Sequence, residues 1–150
     1  VAEPVAALRE ALAADFGVRV REAGPEAADG AATWVLAVKP QVMREVCEGL
    51  ATLAQIHRPL VVSIAAGLPT GRIDGWLGGG LAVVRAMPNT PALVGQGMTA
   101  LFARPAVTAA DRQAVEDYLI SCEAEGLSKA TRARRLSGRC ASPVWRTSAP

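Results

Sequence analysis

Three short apolar runs, each ending in a loop of small residues or proline, limit most strongly what this chain can fold into. The runs are Thr33–Val38, Leu60–Ala65 and Leu81–Ala86. Each has the length of a strand, and an unbroken apolar run of that length is typical of a strand covered on both faces, as in a parallel sheet. Because helical patterns lie between the runs, the sequence indicates an α/β fold with a mostly parallel sheet.

The remaining patterns up to Leu119 fit the same alternation of strands and helices. Apolar residues at helical spacing predict helices at Val5–Phe16, Val42–Leu53, Arg72–Leu77 and Ala109–Leu119, with a helical turn at Pro25–Gly30. The stripes expected to face the core are Val5, Leu8, Leu12 and Phe16 in the first helix and Val42, Val46, Leu50 and Leu53 in the second. Further strands are predicted at Val18–Val20 and Met98–Ala103. Thr108 is a candidate N-cap for the last helix, with Asp111 three residues on.

The pattern ends after Leu119, and so does the charge balance. Residues 1–119 carry ten Lys and Arg against twelve Asp and Glu, whereas residues 120–150 carry six against two. The segment has no sustained apolar period, so it cannot bury enough surface to offset the entropy of ordering it. We expect a disordered or irregular tail. The alternative is a nucleic-acid-binding arm built on its arginines. This alternative is disfavoured because Trp145 is the only aromatic residue in the segment that could stack on bases.

Composition excludes several classes of function. The longest apolar runs are too short to cross a bilayer, and no charged segment followed by an apolar one opens the chain as in a secretion signal. We therefore expect a cytoplasmic protein that does not contact a membrane. Cys47, Cys122 and Cys140 lack the spacing of metal ligands, and His57 is the single histidine. No metal site is predicted.

The loops after the three apolar strands are candidate binding elements, because carboxyl ends of parallel strands meet at the edge where α/β proteins bind ligands. Ala65-Ala66-Gly67 offers backbone amides with little side-chain bulk, or is a plain turn. Lys39 follows a strand and is held extended by Pro40, so it either meets a phosphate or ribose or is a solvated lysine. Asn89 lies between Pro88 and Pro91, where its amide either contacts a ligand or closes its own turn.

Other expected signatures of cofactor and catalytic chemistry are missing. The chain has no G-x-G-x-x-G after an N-terminal strand and no acidic ribose-binding residue about twenty positions further on. Gly78-Gly79-Gly80 precedes a strand, so it is a turn. No paired carboxylates, Ser-His-Asp set or Cys-His pair marks a site of acid–base or covalent catalysis. The catalytic residue is therefore unknown.

Three motifs taken together resemble pyrroline-5-carboxylate reductase. They are Ala37-Val38-Lys39-Pro40-Gln41, Val62-Ser63-Ile64-Ala65-Ala66-Gly67 and Arg85-Ala86-Met87-Pro88-Asn89-Thr90-Pro91-Ala92. The resemblance runs from about Val5 to Leu119. It implies a Rossmann-type, doubly wound domain that binds NADP or NAD and reduces 1-pyrroline-5-carboxylate to L-proline, the last step of proline synthesis. A small-molecule substrate is implied, and nucleic acid is not.

The resemblance also implies which residues line the cofactor. These are Ala37, Val38, Lys39, Pro40, Ala66, Gly67 and Asn89, with Asn89 near the nicotinamide end. Family members begin with a strand and a glycine-rich pyrophosphate loop, and they continue into a helical dimerisation domain. This sequence departs from the family at both ends. Val1 lies beyond the position of the glycine-rich loop, and Ile120 opens the basic tail, which resembles translation in a shifted reading frame or an unrelated ending.

The sequence therefore predicts an incomplete dinucleotide-binding domain at residues 1–119 and a basic irregular tail at residues 120–150. The departures imply exposed strand edges, weakened cofactor binding and an isolated chain that is inactive. Two other interpretations stay open at this point: a non-catalytic nucleotide-binding or interaction module, and another NAD(P)-dependent dehydrogenase of the same fold group.

Overall fold

A computed structural model of the chain describes residues 1–89 and 98–124. The helices are α1 (Ala6–Phe16), α2 (Gly24–Ala28), α3 (Met43–His57), α4 (Thr70–Trp76) and α5 (Ala109–Ala124), and the strands are β1 (Thr33–Leu36), β2 (Leu60–Ser63), β3 (Val83–Pro88) and β4 (Thr99–Ala103). These elements confirm the predicted α/β fold class. Residues 90–97 of the proline motif and the predicted tail beyond Ala124 lie outside the described residues.

The four strands form one sheet in the order β1-β2-β3-β4. β1, β2 and β3 are mutually parallel, and β4 returns antiparallel to β3. Because α3 and α4 connect the parallel strands, each crossover carries a helix, as parallel pairing requires. The sheet is therefore mostly parallel, as the alternation of patterns predicted, with an antiparallel strand at one side.

One face of the sheet is covered by α2, α3 and α4. Its buried residues are mainly aliphatic, and they include Trp34 and Leu36 from β1, Met43, Cys47 and Leu50 from α3, and Ile73 and Leu77 from α4. Trp34 Nε1 donates a 3.1 Å hydrogen bond to the Ala28 carbonyl, so the indole is satisfied inside this core.

The opposite face is covered by α5. There Val115 of α5 packs with Leu60 and Val62 of β2 and with Val84 and Ala86 of β3. Successive residues of β2 and β3 thus alternate between the two cores, and all four residues of β2 are buried. This is the pattern of a strand covered on both sides.

β1 differs from the expectation of a strand covered on both faces. Trp34 and Leu36 are buried, but Thr33 is exposed and Val35 keeps 37% of its surface accessible. The reason is topological: β1 is the first strand of the sheet, and α5 covers β2 and β3 instead.

The N-terminal region also corrects two expectations. Val18–Val20 forms no strand; the segment is held by an isolated parallel bridge between Ala2 and Arg21. α1 is helical and ends at Gly17 in the left-handed conformation, as predicted. None of its residues is fully buried, however: within the predicted stripe Val5 and Leu8 are exposed, and Leu12 and Phe16 are half-buried.

The other helices shift slightly from the predicted bounds. The buried stripe of α3 begins at Met43 rather than Val42, which is exposed, and the helix continues to His57. α5 continues five residues beyond the predicted end at Leu119, to Ala124. Within the described residues, no helix is long and apolar enough to span a bilayer.

Candidate functional site

The carboxyl ends of β1, β2 and β3 meet along one edge of the sheet. Leu36 is in register with Ser63, and Ser63 is in register with Arg85. β1 and β2 end at this level, whereas β3 continues to Pro88 and pairs with β4 as far as Thr99. The loops that carry the three sequence motifs therefore leave from the same edge, which we call the carboxyl edge. The edge is where parallel α/β sheets bind ligands.

The loop after β1 carries an exposed lysine, Lys39, shortly before the start of α3. Lys39 and Pro40 are exposed, whereas Val38 packs against the core. The Lys39 carbonyl accepts a 3.1 Å hydrogen bond from the Val42 amide, which holds the loop against the first turn of α3. The exposed ammonium group of Lys39 can therefore reach a ligand while the Lys39 backbone is held in place.

The loop after β2 is anchored on both sides. The Ile64 amide donates to the Leu36 carbonyl at 3.3 Å, which joins this loop to the end of β1. Ser63 is fully buried, and its Oγ accepts a 3.3 Å hydrogen bond from the Ala65 amide. Ala66 and Gly67 then lie exposed.

Gly67 has a φ of +74°, which L-residues rarely adopt, and no atom lies within 4 Å of where a Cβ would stand. The space beside this glycine is therefore open, and a ligand at the carboxyl edge can contact the backbone of the turn directly.

Asn89 closes its own hairpin. Its Oδ1 accepts a 2.9 Å hydrogen bond from the Met98 amide, and its backbone amide donates to the Met98 carbonyl at 3.1 Å. Asn89 is four positions beyond Arg85 along extended chain, so it lies roughly 13 Å beyond the level at which β1 and β2 end. The structure thus groups Lys39 with Ala66 and Gly67, and it places Asn89 farther out on the hairpin formed by β3 and β4.

Sequence reasoning missed Arg85 as a candidate site residue. It follows two buried valines in β3 and lies beside Ser63 at the level of the carboxyl edge. Its Nε atom is buried and has no hydrogen-bond partner in the described part of the chain. A charged residue inside an otherwise apolar strand was the signal that could have identified it.

The amino end of β3 carries a different polar cluster. Asp74 is buried; its Oδ1 accepts a 2.9 Å hydrogen bond from the Leu81 amide, and its Oδ2 lies 3.0 Å from Arg104 Nη2. Gly78, Gly79 and Gly80 all have positive φ, so the glycine triplet is a turn, as predicted. This cluster fixes the entry into β3 and lies away from the carboxyl edge.

The described residues contain a buried thiol, Cys47, and no cluster of metal-ligand side chains. Desolvation raises the pKa of the fully buried Cys47 thiol to about 11, so it stays protonated at neutral pH. Among residues 1–89 and 98–124, no group of three or more His, Cys, Asp or Glu side chains is placed to hold a metal ion.

Comparison with known proteins supports the resemblance derived from the motifs. Residues 1–67 match the family described as NADP oxidoreductase, coenzyme F420-dependent. A pyrroline-5-carboxylate reductase from Pseudomonas aeruginosa is 45% identical over 108 residues, which cover 72% of this chain and 39% of that protein. The chain thus spans about two fifths of the length of this relative.

Solved structures give the same result. A pyrroline-5-carboxylate reductase from Coxiella burnetii superposes with a TM-score of 0.66 at 37% identity, over 75% of this chain and 40% of that one. The pyrroline carboxylate reductase of Plasmodium falciparum, solved with NADP bound, superposes with a TM-score of 0.63 at 30% identity, over 70% and 39%. The predicted likeness to pyrroline-5-carboxylate reductases and the Rossmann-like fold class are therefore confirmed.

Proposed function

We propose that this chain carries the nicotinamide side of an NAD(P)H site and serves the reduction of 1-pyrroline-5-carboxylate to L-proline in the cytoplasm. The observation that carries the proposal is the convergence of the reductase-like motifs on one carboxyl edge. The similarity to a reductase solved with NADP supports the choice of cofactor. In this reaction the reduced nicotinamide supplies a hydride to the carbon of the substrate's C=N bond.

The residues proposed to line the cofactor are Ala37, Val38, Lys39, Pro40, Ala66, Gly67 and Asn89. Lys39 is an exposed cation on an anchored loop, which suits a phosphate or ribose oxygen. Ala66 and Gly67 leave room for a flat ring to lie on backbone. Asn89 uses its Oδ1 within the hairpin, and its Nδ2 group is proposed to donate to the nicotinamide end of the cofactor.

The proposed organisation follows the sequence boundaries. A dinucleotide-binding unit occupies residues 1–119, and a basic segment occupies residues 120–150, with α5 crossing the boundary to Ala124. The partners we propose are the cofactor and the small imine substrate, and neither nucleic acid nor a membrane is among them.

Cofactor binding tests the proposal directly. The purified chain is titrated with NADPH and with NADH while cofactor fluorescence is recorded, and we expect saturable binding. Replacing Ala66→Leu places a branched side chain on the exposed turn, which blocks close approach of a ring. We expect this variant to lose at least about tenfold in affinity, roughly 1.4 kcal/mol.

The matched control is Ala11→Leu, because Ala11 is also an exposed alanine and lies on α1, outside the loops of the carboxyl edge. No fluorescence change with the unmodified chain at high cofactor concentration, or equal affinity in the two variants, would contradict the proposal. A separate assay follows NADPH oxidation with 1-pyrroline-5-carboxylate. Turnover at a rate ordinary for an enzyme would overturn only the expectation that the isolated chain is inactive.

A further inference from the structure

Arg85 occupies an unusual place for a guanidinium group. It lies in the middle of β3, between Val84 and Ala86, whose side chains belong to the core under α5. Because neighbours along a strand point to opposite faces, Arg85 faces the side covered by α3 and α4. Its register partners are Ser63 on β2 and Phe102 on β4.

The Arg85 side chain is only partly accessible to solvent. Nε is enclosed by protein and donates to no partner within residues 1–89 and 98–124, while the residue as a whole is half-buried. Native proteins rarely leave a buried donor without an acceptor, and each exception calls for an explanation such as a ligand. The enclosed Nε–H therefore marks a place where an acceptor belongs.

Charge adds a second, independent observation. Three of the nine arginines in residues 1–89 and 98–124 have carboxylate partners: Arg9 with Glu22, Arg44 with Glu48, and Arg104 with Asp74. No ion pair joins Arg85 to any described residue. The carboxyl edge consequently carries two cations, Arg85 and the exposed Lys39, without a described carboxylate to balance them.

The neighbouring hydroxyl group fits the same interpretation. Ser63 is fully buried beside Arg85, and its Oγ is an acceptor for the Ala65 amide. Among the described residues no acceptor takes the Ser63 hydroxyl proton. Two donors of hydrogen bonds thus lie on neighbouring strands, in register, at the carboxyl edge.

We infer that Arg85 is an anion-binding residue of the carboxyl edge: its side chain turns out of its enclosed position and takes one oxyanion group of a ligand through its Nε–H and an Nη–H. This side-on pair of donors matches the two oxygens of a carboxylate or a phosphate. The inference rests on the proposed function for its ligands, because the imine substrate carries a carboxylate and the cofactor carries phosphates. A bound oxyanion would supply the acceptor that Nε lacks.

The experiment observes the Arg85 side chain directly by NMR. Nitrogen-15-labelled full chain is titrated with inorganic phosphate, acetate, L-proline and NADPH, and the Nε–H resonance that disappears in Arg85→Lys is followed by NMR. We expect this resonance to shift saturably. A shift with phosphate and NADPH identifies a phosphate site, whereas a shift with acetate and L-proline identifies a carboxylate site.

Arg85→Met and Arg72→Met, which each remove one positive charge, provide the comparison, together with Arg85→Lys, which keeps the charge. Arg85→Met should weaken binding of the effective ligand at least about tenfold, and Arg85→Lys should weaken it less but still measurably, because lysine keeps the charge and loses the paired donors. Arg72→Met is the matched control, since Arg72 is an exposed arginine on α4, and we expect its affinity to stay within about twofold of the unmodified chain.

The outcomes separate the inference from the proposed function. An Nε–H resonance that no probe shifts overturns the inference, as does equal affinity in Arg85→Met and Arg72→Met, even where NADPH binds. Absence of NADPH binding by the unmodified chain contradicts the proposed function, while the phosphate and acetate titrations still decide the inference. If Arg85→Met does not fold by circular dichroism, the titration of the unmodified chain and Arg85→Lys carry the decision.

Discussion

At the scale of single residues, the buried carboxylate of Asp74 holds together elements that the chain brings from far apart. Its two oxygens are used by different partners: the Leu81 amide at 2.9 Å and Arg104 Nη2 at 3.0 Å. A buried ion pair is costly to break because the remaining charge stays desolvated. Asp74 therefore couples α4, the glycine turn and the end of β4.

Replacing Asp74→Ala should destabilise the fold by about 2–4 kcal/mol, since it leaves the Leu81 amide and Arg104 without their acceptor. Urea unfolding followed by circular dichroism measures the change. Glu48→Ala is the control, because the Arg44–Glu48 pair lies on the exposed face of α3 and exposed pairs contribute little. If the two variants unfold at the same urea concentration, Asp74 does not act as a buried anchor.

Cys47 gives a residue-scale prediction about pH. Its thiol has a pKa raised to about 11 by desolvation, whereas an unfolded cysteine titrates near 8.5. The unfolded chain therefore loses this proton first as pH rises. The stabilisation is fully present below about pH 8.5 and is lost as pH rises towards 11.

The free energy of unfolding should accordingly fall between about pH 8.5 and pH 11 by up to roughly 3 kcal/mol from this group. Other groups titrate in the same range, so the measurement is the difference between the unmodified chain and Cys47→Ala across pH 7 to 11. We expect the stability advantage of the unmodified chain to shrink with rising pH. A difference that stays constant over this range would contradict the raised pKa.

At the scale of elements, the start of α5 is fixed by a reciprocal cap. The Thr108 amide and hydroxyl both donate to Asp111 Oδ2, at 3.2 and 2.7 Å, and the Asp111 amide donates to Thr108 Oγ1 at 3.1 Å. The cap predicted from the sequence is therefore confirmed. It sets the helix that covers β2 and β3.

Thr108→Ala removes this cap and should cost about 1 kcal/mol of stability. Thermal unfolding measured by circular dichroism reads the change as a lower melting temperature. Thr52→Ala is the matched control, because Thr52 is exposed inside α3, where alanine is the better helix former. A loss of stability in the control as large as that in Thr108→Ala would argue against capping as the cause.

At the scale of the whole molecule, the sheet has an edge that the described residues leave unpaired. β1 pairs with β2 on one side, and it is the terminal strand of the sheet. Val35 on this strand is 37% exposed. An accessible apolar edge strand is a template for pairing with another chain.

Replacing Val35→Lys should reduce self-association, because a charge on an edge strand opposes pairing with a second copy. Sedimentation velocity over a range of protein concentrations measures the effect, and we expect a larger monomer fraction. Ile56→Lys is the control, since Ile56 is 67% exposed on α3, away from the strand. Equal reduction in both variants would point to added charge in general rather than to the edge.

Local sequence determined most of the elements, the predicted strand at Val18–Val20 excepted, and much of the carboxyl edge. Strand runs, helix periodicity, Gly17 and the Thr108–Asp111 pair are local signals, because they act within a few residues of the chain. The loops after β1 and β2 could also be placed, since parallel strands bring their carboxyl ends together. These predictions needed no knowledge of which helix covers which strand.

Tertiary structure alone decided burial and partnership. α1 has the periodicity of a buried helix and remains exposed, and β1 has the composition of a central strand and lies at the side of the sheet. Arg85 shows the reason most clearly: the role inferred for it depends on Ser63, twenty-two positions away, and on an Nε that has no acceptor among the described residues. Hydrogen-bond satisfaction and packing are relations between distant residues, so only the folded chain fixes them.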